Sequence, residues 1–246
     1  MITVGIDLDG VIRHNNKSGG HGDIPKEQRT RMELARLYEE QKLPKGYYIV
    51  DPHEVHFIEG ALDALRMLHT LEIPCYVFTN QEVLSLGIMT HRQWLNIKEL
   101  MSQHIDHRGG HITDWFYCPH FPDDGCACRK PKPGMFYEAR DRHGLDLAQM
   151  YMIGDNPSDM QAGKAAGCKG NIHIRLETAD PEFQSCDEAD VAVKDLHGAV
   201  VEIMKRESMF IDELALQKGV TFDMAAVHAE YKRLYEKEEA AQKRKS

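Results

Sequence analysis

Two aspartates, Asp7 and Asp9, close a short apolar run at residues 2–6 and are separated by a single leucine. On an extended chain, residues two apart project to the same side, so both carboxylates can face one ligand while Leu8 points away. Carboxylates held that close repel each other, and a divalent cation relieves the repulsion. Asp155 follows another apolar run, residues 150–153, and would complete an oxygen-rich site of the kind magnesium takes. A third run ends in Thr79-Asn80-Gln81 and a fourth leads toward Arg129-Lys130. There Thr79 supplies a hydroxyl, the turn at Asn80 supplies backbone donors, and Lys130 supplies a point charge, all suited to phosphoryl oxygens. Magnesium at the aspartates would neutralise charge on a phosphate in transfer. Asp159, four residues after Asp155, is expected to cap the helix starting near Pro157 or to orient the metal shell, rather than to ligate directly.

A second constellation lies at Cys118-Pro119-His120 and Cys126-Ala127-Cys128. Three thiolates and one imidazole fill the tetrahedral shell of a structural zinc site, with no position left for a substrate. A compact loop of this kind gains much of its order from the metal. Zinc is therefore expected to staple residues 118–128 and to brace the loop that carries Arg129 and Lys130. The remaining cysteines are scattered. Cys75 and Cys168 read as small buried hydrophobes, and reduced thiols suit the whole set better than disulfides.

The elements that must position these groups follow from periodicity. Residues 2–6, 74–78, 115–118, 150–153 and 172–174 are short apolar or aromatic runs that read as buried strands. Between them, residues 61–71, 90–103, 134–143 and 157–166 carry apolar side chains at three- and four-residue spacing and read as helices. In the helix from Thr90, the residues Trp94, Leu95 and Leu100 are expected in the core. Alternating strands and helices imply an α/β fold with a doubly wound parallel sheet, and ligands then gather at the carboxyl ends of the strands, where the polar groups above stand. Residues 15–46 interrupt the rhythm as a polar insertion. Within it, residues 25–41 form a charged helix with Met32, Leu34, Leu37 and Tyr38 as its thin apolar content.

The four segments DLDGV, TNQ, CRKPKPGM and GDNPSDM, in this order, resemble the signature motifs of the haloacid dehalogenase (HAD) superfamily, over about residues 1–193. The resemblance implies a Rossmann-like HAD fold without a large cap domain. It implies that Asp7 attacks phosphorus, that Asp9 protonates the leaving alkoxide and then activates water, and that Asp155 holds magnesium with Asp7 and the Asp9 carbonyl. It also makes Thr79, Asn80, Gln81, Arg129 and Lys130 the substrate and phosphate contacts. Within the superfamily, CPH followed by CACRKPKPGM, with Gly46-Tyr47 upstream, is similar to the heptose bisphosphate phosphatases and their relatives, the histidinol-phosphate phosphatases. The chain departs from that pattern at two places: TNQ continues with Glu82, Val83 and Leu86 instead of a small flexible step and a basic residue, and the first motif is followed by Ile12-Arg13-His14.

Composition bounds the reading. Over 246 residues, 42% hydrophobic and 28% charged content indicates a globular chain, and a net charge of −9 disfavours broad nucleic-acid binding. The N-terminus lacks the basic-then-apolar pattern of a signal peptide, and no run approaches the roughly 20 apolar residues of a spanning helix. A soluble, cytoplasmic, monomeric enzyme acting on a small phosphorylated metabolite is expected. Its phosphatase domain would span residues 1–205, followed by a helical extension over 206–246. Two further readings, a nucleic-acid 3'-end phosphatase and a non-catalytic zinc-braced interaction protein, are disfavoured by the acidic balance and by the intact Asp7, Asp9, Lys130 and Asp155 respectively. His14, His21, His53 and His56 match no ligand spacing and read as exposed loop residues.

Overall fold

The computed structural model describes residues 1–14, 29–43, 47–175 and 186–207. Met1–Ile203 form one compact unit and Met204–Ser246 another. The expected extension, apart from its first two residues, lies outside the described residues, as do His21 and most of the N-terminal half of the insertion.

Six strands form one parallel sheet. They are β1 (Thr3–Ile6), β2 (Cys75–Asn80), β3 (Asp114–Cys118), β4 (Met150–Gly154), β5 (Gly170–Ile174) and β6 (Val191–Val193), in the spatial order β3-β2-β1-β4-β5-β6. Every residue of β1 and of β4 is buried. That is why these segments read as continuous apolar runs rather than alternating ones: helices cover both faces. The register aligns their ends. Ile6 pairs with Val77 on one side and Ile153 on the other, so Asp7, Thr79 and Asp155 emerge within two residues of one level. The strand order reverses between β1 and β4, which opens a crevice at their carboxyl ends.

The helices are α1 (Arg31–Glu39), α2 (Ala61–Thr70), α3 (His91–His107), α4 (Gly134–His143), α5 (Pro157–Ala166) and α6 (Leu196–Arg206). Thr90 caps α3 through a reciprocal capping box with Gln93. The buried face of α3 is Trp94, Ile97, Met101 and Ile105. Trp94 is in the core as expected, but Leu95 is 47% exposed and Leu100 only half-buried. At about 100° per residue, a neighbour of Trp94 cannot share its face. Cys75 is buried, whereas Cys168 is only half-buried.

The core beside β2 is aromatic: Phe78 stacks between Phe136 and Phe116, with ring centroids 4.2 and 5.4 Å away. Neither β6 nor α6 stood out in the sequence. β6 is three residues long and half-exposed, which leaves little apolar run to recognise. Among the described residues, only α1 and a 3-10 turn at Pro52–Glu54 stand between β1 and α2, so no large cap domain is built there.

Of the expected helix over residues 25–41, the described part is α1, capped by Thr30. It buries Leu34, while Met32 is 82% exposed. Leu34 packs with Tyr47 and Phe121, joined by Leu37, Leu43, Tyr48 and Leu86. The insertion is therefore anchored on the loop that follows β3. Arg31 adds an ion pair to Asp124 and lies over the Phe121 ring.

Candidate active site and metal sites

Asp7 is the first residue beyond β1. Its backbone N–H donates to Ile153 at 2.9 Å, which locks the turn to β4. The side chain is buried at 8% exposure, and its Oδ1 accepts from Lys130 Nζ at 2.7 Å. The same ammonium reaches the Phe78 carbonyl at 2.6 Å and Asp159 Oδ1 at 2.5 Å. Two hydrogen-bond acceptors and one ion pair thus hold the ammonium. Burial works against the charge on Lys130, but Asp159 and Asp7 hold its pKa above the ordinary lysine value.

Asp7, Asp155 and Asp159 bring carboxylate oxygens within 4.8 Å of one another. Burial, reinforced by Asp159 and opposed by Lys130, pushes the Asp7 carboxyl up to about 7. Asp155 is raised well above the carboxylate range by burial and then by Asp7 and Asp159. Its Oδ2 is buried with no hydrogen-bond partner. Crowded acidic oxygens with an orphaned lone pair fit a hard divalent cation such as magnesium.

Asp159 also does what its spacing suggested. Its Oδ2 accepts from the Asn156 backbone N–H at 3.0 Å, while Asn156 caps α5. Gly154 permits this approach, because a Cβ there would collide with the Asp159 carboxylate. A further residue, invisible in the sequence motifs, supports Asp155 from β5: the fully buried His173 places its Nε2 3.0 Å from the Asp155 carbonyl, so it donates there.

The carboxylate of Asp9 lies outside this acidic cluster. It accepts from Arg13 Nε at 2.8 Å and from Gln81 Nε2 at 2.8 Å. The chain folds back after Asp9 through Gly10, whose φ of 86° favours a residue without a Cβ, and Gly10 N–H then bonds the Arg13 carbonyl. Arg13 is 1% exposed. Sequence reasoning noted it only as a departure from a familiar motif; a buried arginine and a surface arginine look alike in a string of letters. Gln81 also donates to Thr79 Oγ1 at 2.8 Å. Asn80, expected to offer backbone donors at a turn, lies within β2 and uses its side chain instead, pairing with both the N–H and the carbonyl of Lys130.

The second constellation is also brought together. Cys118, His120, Cys126 and Cys128 offer ligand atoms within 4.8 Å of one another. Cys118 Sγ lies 3.6 Å from Cys126 Sγ and 3.2 Å from Cys128 Sγ, and His120 Nδ1 is 3.2 Å from Cys128 Sγ. A tetrahedron with metal-sulfur arms of about 2.3 Å has edges of similar length, so the four atoms fit zinc. Burial pushes the Cys118 thiol well above its usual range, and a bound cation is what would hold it as thiolate.

A family model of haloacid dehalogenase-like hydrolases matches residues 21–167. The chain belongs to this hydrolase family. Among curated proteins it is 34% identical over 135 residues to the D-glycero-beta-D-manno-heptose-1,7-bisphosphate 7-phosphatase of Yersinia pestis, covering 52% of this chain and 72% of that one. The protein of the same name from Escherichia coli K12 is 35% identical over 135 residues, covering 52% and 71%. The crystal structure of D,D-heptose 1.7-bisphosphate phosphatase from B. bronchiseptica, complexed with magnesium and phosphate, superposes with a TM-score of 0.63 at 25% identity. It covers 84% of this chain and 99% of that one.

In this hydrolase the acidic cluster opens on a cavity of about 480 Å³, which Phe121 and Arg129, chain neighbours of the cysteine-histidine cluster, also line. Its inner end carries Asp7, Asp9, Lys130, Asp155 and Asp159, and its outer wall carries Arg29 of the insertion and Tyr47 and Tyr48 just after it, with Phe121, Arg129 and Glu82. Arg129 Nη1 donates to the His120 carbonyl at 3.1 Å and pairs with Glu82 Oε2 at 2.9 Å. Glu82 is 5% exposed. Neither the involvement of the insertion in the cavity wall nor the Glu82 pairing was readable from spacing. His14, His53 and His56 are exposed and belong to neither metal-type cluster of the described residues.

Proposed function

We propose that this hydrolase is a magnesium-dependent phosphomonoesterase acting on a small phosphorylated sugar through a phosphoryl group carried on Asp7. The observation that carries the reading is the buried Asp7 carboxylate, held at one oxygen by Lys130 and set beside a second carboxylate, Asp9, that belongs to a separate hydrogen-bond network. A nucleophile and an acid-base group at one strand end are what a two-step displacement needs.

Asp7 and Asp155, with the Asp9 carbonyl, would hold magnesium. The ion supplies charge neutralisation for the phosphoryl oxygens. Everything else falls to the chain. Lys130 fixes the Asp7 carboxylate and offers positive charge to the transferring group, while Thr79, Gln81 and Arg129 stand along the cavity as hydrogen-bonding contacts for phosphate and substrate. In the first step a bond forms between an Asp7 carboxylate oxygen and phosphorus as the ester P–O bond breaks, and protonated Asp9 gives its proton to the leaving alkoxide. In the second, Asp9 takes a proton from water as water oxygen bonds to phosphorus and the Asp7 oxygen leaves. Arg13 and Gln81 keep Asp9 in position for both transfers. Zinc at Cys118, His120, Cys126 and Cys128 would serve as a brace for the cavity wall.

The relatives' heptose 1,7-bisphosphate is the first member of this substrate class to test, since proteins 34–35% identical to this chain over 135 residues are named for its hydrolysis. The decisive experiment measures release of inorganic phosphate from p-nitrophenyl phosphate and from heptose 1,7-bisphosphate, with magnesium and with chelator. Wild type should turn over only with magnesium, and Asp7→Asn should reduce turnover by more than about a thousandfold. Substantial turnover by Asp7→Asn would remove the covalent route.

A further inference from the structure

Among the described residues, four cations line the active cavity: Arg13, Arg29, Arg129 and Lys130. Ion pairs to acids that line it too are made by Arg13, Arg129 and Lys130. Arg13 holds Asp9, Lys130 holds Asp7 and Asp159, and Arg129 holds Glu82. The first two pairs belong to the phosphoryl-transfer end. The third does not. Arg129 precedes Lys130 in the chain, and its guanidinium is fixed at Nη1 by the His120 carbonyl and the Glu82 carboxylate together. The Glu82 side chain is 6% exposed against 19% for Arg129, so the pair is largely withdrawn from water and weakly screened.

Glu82 follows β2 directly after Gln81, whose backbone N–H bonds the Cys118 carbonyl at 2.7 Å. Its own carbonyl accepts from Leu86 N–H at 3.1 Å and from the Ser85 hydroxyl at 3.0 Å. The carboxylate is therefore built into a fixed turn and does not hang from a mobile one.

An arginine lining such a cavity without an acid would attract a second anionic group. With Glu82 at 2.9 Å, a phosphate approaching Arg129 meets a carboxylate on the same guanidinium, and like charges in close contact are a recognised means of excluding a partner. The same pair offers neutral ligands a complementary edge: a hydroxyl donates to the carboxylate while its neighbour accepts from the guanidinium. We infer that Glu82 is a specificity-determining residue, which sets the outer part of the cavity to accept the neutral hydroxyl groups of a sugar monophosphate and to reject a second phosphate. This rests on the phosphatase reading for the inner end of the cavity and narrows its substrate class, away from the bisphosphates named in the relatives.

The test uses binding, so that it is independent of turnover. Calorimetry in magnesium buffer compares fructose 6-phosphate with fructose 1,6-bisphosphate, and heptose 7-phosphate with heptose 1,7-bisphosphate, on the full chain carrying Asp7→Asn. The monophosphate of each pair should bind more tightly by about tenfold or more. Adding Glu82→Gln, which keeps the size and removes the charge, should shift each ratio toward the bisphosphate by about tenfold, and Glu82→Ser should act in the same direction. Because the ratio is taken within one variant, a uniform loss of folded protein cancels. Tighter binding of the bisphosphates to the Glu82 protein would mean that Arg29 and Arg129 outweigh the carboxylate, and overturns the inference. So would a ratio unmoved by both substitutions, or no binding of either member of the pairs. Failure of wild type to hydrolyse any phosphate ester would instead strike at the phosphatase reading, and these binding ratios would still decide the role of Glu82.

Discussion

The carboxamide of Asn80 closes on the backbone of Lys130 from both directions, donating to its carbonyl and accepting from its N–H, each at 3.1 Å. The two residues are 50 apart in sequence, and this clamp joins the end of β2 to the loop that brings the lysine ammonium onto Asp7. Asn80→Ala should therefore act through Lys130. It removes two hydrogen bonds worth about 1 kcal/mol each, so a fall of several degrees in Tm is expected. Turnover should fall by about tenfold or more, while KM for p-nitrophenyl phosphate changes little. Asn80→Asp should be intermediate, because it keeps the acceptor for Lys130 N–H and loses the donor. A variant in which KM rises and kcat is untouched would show that Asn80 contacts substrate instead.

The acidic cluster gives metal binding a pH dependence with a definite sign. The Asp7 carboxyl is pushed from 3.8 up to about 7 by burial first and by Asp159 next. A carboxyl whose folded-state pKa is raised stabilises the fold below its ordinary pKa, where it is protonated in both states, and that stability is lost as pH climbs through the folded value. The metal-free protein should accordingly lose thermal stability between about pH 4 and pH 7. Magnesium must displace the proton, so its apparent affinity should rise over the same window. Asp7→Asn should make both curves shallower there. Calorimetric titration of magnesium in buffers of different ionisation enthalpy measures the released proton, and no release at pH 6 would contradict the raised Asp7.

Zinc removal should act on recognition before chemistry. The stapled loop carries the His120 carbonyl that fixes Arg129, and Phe121, on which the insertion packs. Cys126→Ala leaves three ligands and should release most of the metal, lowering Tm. KM for a sugar phosphate should rise more than KM for an aryl phosphate, which makes fewer contacts with the outer wall. Elemental analysis of the purified protein should return one zinc per chain. A metal-free preparation with unchanged Tm and KM would remove the brace.

How much of this was legible in the residues depends on whether a feature is local. Asp7, Asp155 and the strands that present them were readable, because a buried parallel strand is a run of apolar letters and the groups after it are one or two positions away. The cysteine-histidine cluster was readable for the same reason, all four residues lying within eleven positions. Asn80 and Glu82 were harder: their partners, Lys130 and Arg129, come from a loop about fifty residues later, and only the parallel pairing of β2 with β3 places that loop beside them. Leu95 was misplaced because apolar letters on a helix mark a face only when their angles agree. His173 carried no signal at all, since nothing about one histidine in a short strand tells of the Asp155 carbonyl next to it.

Arg13 offers the sharpest separation of structure from catalysis. Its side chain is 2% exposed and holds Asp9 through Nε at 2.8 Å with a weaker contact from Nη2 at 3.4 Å. Removing one partner of a buried pair leaves the other uncompensated, at a cost of about 3 kcal/mol or more. Arg13→Ala should therefore both destabilise the protein and slow turnover. Arg13→Lys keeps the charge but cannot reproduce the planar fork, so it should recover much of the stability and little of the rate. The two losses are then separable by a double-mutant cycle with Asp9→Asn, read by denaturant unfolding. A coupling energy of about 1–3 kcal/mol is expected for a directly bonded pair. If coupling were below about 0.5 kcal/mol, or if Arg13→Lys restored turnover in full, the arginine would be contributing charge to the cavity rather than fixing the position of Asp9.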